Sequence, residues 1–496
     1  MAEAVPHWRH RLAAVMRKGA VTAAIAMFAR VSSQIALVGV TLVATRMLTP
    51  TAFGVFAIAA ALLTLARTML YTGPFEYLLK APEDGTPHVA RACLLVNFVA
   101  ALAWLVLLGA AGLAAPRIFG SPAVGAVILA LAPSNLVAAY TGWLEALLLR
   151  SGRLRPYYAI TVTVEFVSGI GAALLLVAGC GLWALVAQVY MRLLLFVAVY
   201  VLIVRAPSPG WAPPGVAREV LRWSGGRYGS VLVGFLGNYS GDLLLGAVFS
   251  PAAAGVYRAG SRIVTALADV FVQPAGLLTA TTLSAARARG EARRGAWLRL
   301  LALFGAPAFS ALALLALLAD RLTPIVLGPA WAAAAPVVAI FCVARMAALL
   351  TAVASAVLVV EDRQGRLLWV QGVAAVATAG LTIAAASAGA IAAALVTTLV
   401  AAVMAAVLLR DAWLCDVPTM AESRRDALRS AIIPLVGAFG AAGGMTLALR
   451  GAGDGVLPLA CALAAGVAGW GLAAWYVGPE LRRTLSALAD GPAPAE

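Results

Sequence analysis

The sequence predicts an all-α, polytopic membrane protein of about 14 transmembrane helices, arranged as two six-helix lobes followed by two further helices. Three observations carry that prediction. Of 496 residues, 63% are hydrophobic and 11% charged, which leaves too little polar surface for a soluble fold. Apolar runs long enough to cross a bilayer recur from end to end. Basic residues gather in alternate loops.

Taking the elements in order, apolar runs bounded by charge clusters and Gly/Pro breaks start near residues 20, 52, 90, 122, 156, 181, 228, 252, 300, 331, 366, 389, 430 and 456. A count of twelve would require the two shortest runs, near 366 and 389, to be re-entrant. Charge orients the spans. Of the 36 Lys and Arg, the external loops carry Arg46, Arg117, Arg321 and Arg450, and the spans carry Arg30, Arg67, Arg192, Arg258, Arg262 and Arg345. All the others fall on the opposite face, which places both ends in the cytoplasm.

These runs divide the chain into a cytoplasmic N-terminal segment (1–19), an N-lobe of spans one to six (20–205), a cytoplasmic linker (206–227) and a C-lobe of spans seven to twelve (228–410). A cytoplasmic loop (411–429), spans thirteen and fourteen (430–478) and a cytoplasmic tail (479–496) follow. The first apolar run lacks a small-residue cleavage site and is too long for a signal peptide, so it is expected to stay in the mature protein. A weakly amphipathic stretch around Trp8, Leu12 and Val15 suits the membrane surface.

Several function classes are set aside by what the loops contain. The net charge of +15 is scattered over short loops rather than gathered on an exposed domain, which argues against nucleic acid. No loop is long enough to fold as a catalytic domain, and no phosphate-binding Gly-x-x-x-x-Gly-Lys-Ser/Thr segment occurs. His7, His10 and His88 stand apart from any Cys or carboxylate cluster. Cys93, Cys180, Cys342, Cys415 and Cys461 are isolated in sequence. Neither a metal site nor a cofactor is expected.

The chain also repeats itself. Thr49-Pro50-Thr51-Ala52-Phe53-Gly54-Val55-Phe56 matches Ser250-Pro251-Ala252-Ala253-Ala254-Gly255-Val256-Tyr257 as hydroxyl-Pro-x-x-x-Gly-Val-aromatic. The pattern describes a tight turn into a helix: the hydroxyl caps it, Pro fits its first turn, and Gly allows close packing. A second echo places Gly152-Arg153-Leu154 before span five and Gly365-Arg366-Leu367 before span eleven. Two halves of six spans have parallel topology, so a pseudo-twofold along the membrane normal and a cavity between them are expected.

This organisation resembles the polysaccharide and lipid-linked oligosaccharide flippases of the multidrug/oligosaccharidyl-lipid/polysaccharide (MOP) exporter superfamily. The resemblance rests on Arg46-Met47-Leu48-Thr49-Pro50-Thr51-Ala52-Phe53-Gly54 entering span two, Ser151-Gly152-Arg153 before span five, and Gly181-Leu182-Trp183-Ala184-Leu185 opening span six. Ala254-Gly255-Val256-Tyr257 with Arg262 in span eight completes it. It implies a transporter rather than an enzyme, in the bacterial cytoplasmic (inner) membrane. It also implies alternating access and a polyprenyl-diphosphate-linked oligosaccharide cargo carried to the outer leaflet for surface or exopolysaccharide synthesis. Membrane lipids and a polysaccharide polymerase are the implied partners.

If spans one, two, seven and eight line the cavity as the resemblance implies, they bring a polar set with them. Arg30, Gln34, Thr41 and Thr45 project within about 60° of one another on span one, and Arg258, Arg262 and Asp269 within about 40° on span eight. Span two offers Arg67 and Tyr71, and span seven Asn238, Tyr239 and Asp242. A guanidinium at membrane depth costs a few kcal/mol at minimum, and arginine's planar fork matches a phosphate. The expected substrate-binding set is therefore Arg30, Gln34, Arg67, Tyr71, Asn238, Asp242, Arg258 and Arg262. Gln34, Thr41, Tyr71, Asn238 and Tyr239 are positioned for sugar hydroxyls. Spans one and two carry no carboxylate at comparable depth, which singles out Arg30 and Arg67.

Internal pairing is the competing account, Arg258 or Arg262 with Asp242 and Arg192 with Glu165, and it is the expected one for Arg192 and Arg345. Glu165, Asp242 and Asp269 are candidates for a coupling proton or Na⁺. Three other functions stay open: a peptidoglycan lipid II flippase, a cation-coupled multidrug exporter, and an integral-membrane polymerase or glycosyltransferase. Drug exporters of this superfamily generally carry a carboxylate on span one, where this chain has Arg30. A polymerase would need catalytic acids on a long external loop, and here the external acids are essentially Asp320 and Asp454.

Overall fold

The computed structural model describes residues 25, 28–29, 31–81, 86–204, 206, 212–288 and 294–415. Every regular element among them is helical. The first is α1 (Val31–Met47). The rest of the first half comprises α2 (Pro50–Leu70), a π-turn (Tyr71–Phe75), α3 (Glu76–Lys80), α4 (Thr86–Phe119), α5 (Pro122–Leu131), α6 (Ser134–Arg150), α7 (Leu154–Val177) and α8 (Trp183–Ile203). The second half comprises α9 (Pro214–Val248), α10 (Pro251–Ala288), α11 (Arg294–Leu317), α12 (Ala319–Leu327), α13 (Ala335–Val360), α14 (Gln364–Ala385) and α15 (Ala390–Cys415).

Eleven stretches of the described residues are long and apolar enough to cross a membrane, and α1 adds a shorter apolar helix. They fall on the first twelve predicted spans in order. The runs near 366 and 389 become helices of 22 and 26 residues, Gln364–Ala385 and Ala390–Cys415, too long to be re-entrant. Spans thirteen and fourteen, the segment around Trp8, and Arg30 lie outside the described residues.

Residues up to Phe235 with Ser250–Ala252 form one compact unit, and Leu236–Phe249 with the residues from Ala253 onward form another. Residues 214–227, expected as linker, are helical and lengthen the seventh span. Proline at its start suits the first turn, and the Val216, Val220, Trp223 spacing gives this extension an apolar stripe, with Val220 buried. The extension packs on the end of the second span. Trp223 meets Tyr77 edge-on at 5.6 Å, and Arg227 Nε donates to Glu76 Oε2 at 2.6 Å.

The first copy of the repeated turn behaves as its residues require. Thr49 caps α2 by accepting from the Ala52 N–H at 3.3 Å, with Pro50 in the first turn and Gly54 and Phe53 buried. The second echo is out of register with the fold. The left-handed residue of the turn is Gly152 (φ 70°) in the first half and Asp362 (φ 59°) in the second. Arg153 therefore corresponds to Arg363, and Gly365-Arg366-Leu367 already lies within α14. Both turns close by the same bonds, Ser151 N–H to the Leu147 carbonyl and Glu361 N–H to the Val357 carbonyl.

The fourth span is broken. Ala132 and Pro133 separate α5 from α6 because proline has no N–H to continue the ladder. Carbonyls freed at the break find side chains: Tyr190 Oη donates to the Ala130 carbonyl at 2.5 Å and Ser134 Oγ to the Leu131 carbonyl at 2.6 Å. Trp143 Nε1 and Asn97 Nδ2 tie α6 to α4 through the Ala90 and Ala139 carbonyls at 2.8 and 2.9 Å.

Glycine brings α4 and α5 together at van der Waals distance. A Cβ on Gly125 would stand 2.5 Å from the Gly112 carbonyl oxygen, a backbone atom that cannot rotate aside. Gly125→Ala should therefore destabilise the protein by about 1–3 kcal/mol. Gly109→Ala, with nothing within 4 Å of its new Cβ, should be neutral. Thermal melting of the two purified variants checks this; equal melting temperatures would contradict it.

Candidate functional site

Two clusters of ionisable side chains sit at membrane depth, one inside each unit. In the first unit a cavity of about 240 Å³ is lined by Arg67 and Tyr71 from the second span, Glu145 from the fourth, Tyr157, Thr161 and Glu165 from the fifth, and Arg192 and Tyr200 from the sixth. Local structure aims these groups. The π-turn at the end of α2 contains Gly73 and Pro74, and Pro74 interrupts the ladder just after Arg67 and Tyr71. The Tyr71 ring lies on Gly142, where a Cβ would stand 3.2 Å from Tyr71 Cζ.

Charges in this cavity are matched unevenly. Arg192 Nη1 pairs with Glu165 Oε1 at 3.3 Å, the internal pairing expected from sequence. Arg67 Nη2 donates to Ser134 Oγ at 3.0 Å, and that hydroxyl passes its own proton to the Leu131 carbonyl at the helix break. Arg67 Nε is buried without a partner among the described residues. Glu145 Oε1 accepts from Tyr157 Oη at 2.9 Å, with the Tyr71 hydroxyl close by. Neither Arg67 nor Glu145 forms an ion pair within 4 Å among the described residues.

The carboxylates of this cavity come from spans four and five rather than from the neighbours of Arg67 in sequence, and neither pairs with Arg67. Glu145 was not among the expected site residues. Its signal is present, as the lone acid in the apolar run Ser134–Arg150, but nothing in the sequence brings that run to Arg67.

Span one contributes differently from its helical projection. The Thr41 and Thr45 hydroxyls bond to the Leu37 and Leu42 carbonyls at 2.8 and 3.1 Å, and both side chains are buried. Thr41, expected to meet sugar hydroxyls, is thus buried with its proton committed to the backbone. Gln34 is half-buried. Arg30 lies outside the described residues.

In the second unit Asp242 is fully buried, and its Oδ2 accepts from Arg258 Nη1 at 3.0 Å. Arg258 also lies over the Tyr239 ring, 4.8 Å from its centroid. Gly241 makes room for the neighbouring Tyr257, since a Cβ there would stand 2.5 Å from Tyr257 Cζ, and Tyr257 Oη reaches Thr397 Oγ1 at 3.1 Å. Arg262 is within electrostatic reach of Asp242, and Arg345 of Asp269 and Arg258. Asn238, Arg262 and Asp269 are all engaged in interactions of their own.

The chemistry of the two clusters differs. In the second unit the best-placed acid is occupied by a guanidinium. The first presents a guanidinium and a carboxyl that hold neutral partners.

Residues 43–336 match the model of a family described as polysaccharide biosynthesis protein. No curated protein matches the sequence. Among solved structures, the lipid II flippase MurJ in an inward closed conformation superposes with a TM-score of 0.75 at 11% identity, covering 93% of this chain and 99% of that one. An inward-facing multidrug resistance MATE family transporter of the MOP superfamily gives 0.55 at 13% identity, covering 78% and 93%. The fold is thus that of MOP-superfamily membrane proteins.

Removing Asp242 leaves Arg258 uncompensated at depth. Asp242→Ala should destabilise by about 3 kcal/mol, the lower end for a buried pair because Arg258 keeps some exposure, while Asp242→Ala with Arg258→Leu should recover most of the loss. A double-mutant melting series measures both. Additive losses would show that the pair is not coupled.

Proposed function

Because this chain belongs to the polysaccharide biosynthesis protein family, we propose that it is a flippase that carries polyprenyl-diphosphate-linked oligosaccharide repeat units from the cytoplasmic to the outer leaflet. The observation that carries this reading is Arg67. It is a guanidinium in an apolar span, held from one side by a neutral hydroxyl, with its Nε buried and unsatisfied beside a cavity. A phosphate is the ligand that such a fork takes best, through charge-assisted and partly bidentate bonds.

Size supports the same assignment. About 240 Å³ admits a phosphoryl headgroup but not an oligosaccharide, so the cavity holds the charge while the sugars lie beyond it and the polyprenyl tail stays in lipid. Arg30 joins Arg67 as an anion ligand, with Gln34 and Tyr71 on the same two spans offering polar contacts. Arg258, Arg262, Asn238 and Asp242 are the proposed substrate ligands of the second unit. Transport proceeds by alternating access. Outward movement of negative charge is assisted by an inside-negative potential, at about 2.3 kcal/mol per charge per 100 mV. Glu165 and Asp269 are each engaged with other groups, which makes them poorer ion-coupling sites. The setting is the bacterial inner membrane with both termini cytoplasmic, alongside a polymerase that consumes the flipped units.

A lipid II cargo shares the diphosphate and would use the same arginines. The likeness to a lipid II flippase is one of fold, whereas the family match favours a polysaccharide unit. Expression in strains lacking either flippase separates the two.

Arg30→Ala and Arg67→Ala should each abolish export of a surface polysaccharide at unchanged protein level. Arg67→Lys, which keeps the charge and loses the fork, should retain part of it. Quantifying surface polysaccharide against membrane-fraction protein tests this; wild-type export by both alanine variants would sink the diphosphate reading.

A further inference from the structure

We propose that Glu145 is a proton-binding site coupled to the anion site at Arg67, taking up a proton when the anion binds and releasing it when the anion leaves. This rests on the reading of Arg67 as an anion ligand.

The argument begins with a charge count inside the cavity of the first unit. It holds two guanidinium groups, Arg67 and Arg192, and two carboxyl groups, Glu145 and Glu165. Arg192 and Glu165 pair with each other. One cation and one acid are left, and they do not pair. Arg67 turns to Ser134, and Glu145 turns to Tyr157, with Tyr71 near both.

What surrounds Glu145 suits a proton better than a metal ion. Tyr157 donates to it from α7, and the Tyr71 hydroxyl approaches it from the end of α2. Thr161, which lines the cavity, already bonds the Tyr157 carbonyl at 2.9 Å. From α8 come Arg192, committed to Glu165, and Tyr200. Elements α3 and α4 bring no charged group to the cavity: Asn97 and the Ala90 carbonyl of α4 are bonded to α6, and the Cys93 thiol is buried in the apolar core against Trp143 and Leu144. Glu145 thus sees phenols that can donate to the carboxylate or accept from the acid. It lacks the set of oxygen lone pairs that a hard cation requires. Among the described residues no group of three His, Cys, Asp or Glu is placed to hold a metal ion.

Coupling follows from the sign of the charges. With Glu145 ionised the cavity is neutral, and a diphosphate entering beside Arg67 meets an additional negative charge at low dielectric. Protonation of Glu145 removes that charge and leaves the cavity positive. Binding of either ligand therefore strengthens the other by the same factor. Tyr71, which lies near both groups, is the contact through which the anion at Arg67 would also shift the hydrogen bonding at Glu145.

The test is infrared difference spectroscopy of the full chain in lipid bilayers as pH is varied. A C=O stretch from a protonated carboxyl should titrate in the wild type and in Glu165→Gln, and be missing from Glu145→Gln. Tyr157→Phe, which keeps the acid and removes its donor, should shift the frequency of the band. Identical spectra for wild type and Glu145→Gln, or a band indifferent to Tyr157→Phe, would overturn the proton site. Inorganic pyrophosphate should raise the titration midpoint by about one pH unit, a tenfold gain in proton affinity, in the wild type but not in Arg67→Ala. Pyrophosphate that binds by calorimetry without moving the midpoint would overturn the coupling. A titrating Glu145 in a protein that binds no pyrophosphate would instead overturn the reading of Arg67 while supporting the proton site.

Discussion

A guanidinium at membrane depth has to be met by oxygen, and in the first unit that requirement is satisfied at the break in the fourth span. Pro133 ends one helix and frees carbonyls that cannot be left bare in an apolar surrounding. Ser134 covers one of them and in turn receives Arg67, while Tyr190 covers another. The arginine is thus held by a serine that sits at the break and covers one of its carbonyls.

The second unit meets the same requirement by a different device. Asp242 lies one turn from Asn238 on the same helix and is fully buried against Arg258, whose guanidinium also rests on an aromatic face. Such a pair fixes α9 against α10 and commits Asp242 Oδ2 to Arg258, while Asp242 Oδ1 is buried without a partner among the described residues. The first unit instead leaves a cation and an acid facing neutral hydroxyls. A guanidinium that faces a neutral hydroxyl beside a cavity is the one able to exchange that partner for an anion, which is why the proposed chemistry is placed there.

Glycine and proline carry much of the positioning. Gly142 accepts the Tyr71 ring, Gly241 accepts Tyr257, and Gly125 lets α5 lie on α4. The π-turn at Tyr71–Phe75 re-aims the end of the second span, where its polar groups are.

Hydropathy alone determined the class and the positions of the first twelve spans, because a bilayer demands long apolar runs. The Thr49-Pro50 cap was equally legible, being a local motif that needs no distant partner. The Arg192 to Glu165 and Arg258 to Asp242 pairs could be named from sequence because oppositely charged residues are few at that depth. Only tertiary structure decided which charges stay unmatched. Glu145 and Arg67 are 78 positions apart in sequence, and no periodicity relates a residue on one helix to a residue on another. Helical projection placed Thr41 and Thr45 on a polar stripe, yet a threonine hydroxyl in a helix finds the carbonyl one turn back before it finds a ligand. The repeat of Gly-Arg-Leu misled for a related reason: letters matched, but the left-handed residue that defines the turn is Gly152 in one half and Asp362 in the other, and backbone geometry rather than residue identity sets that correspondence.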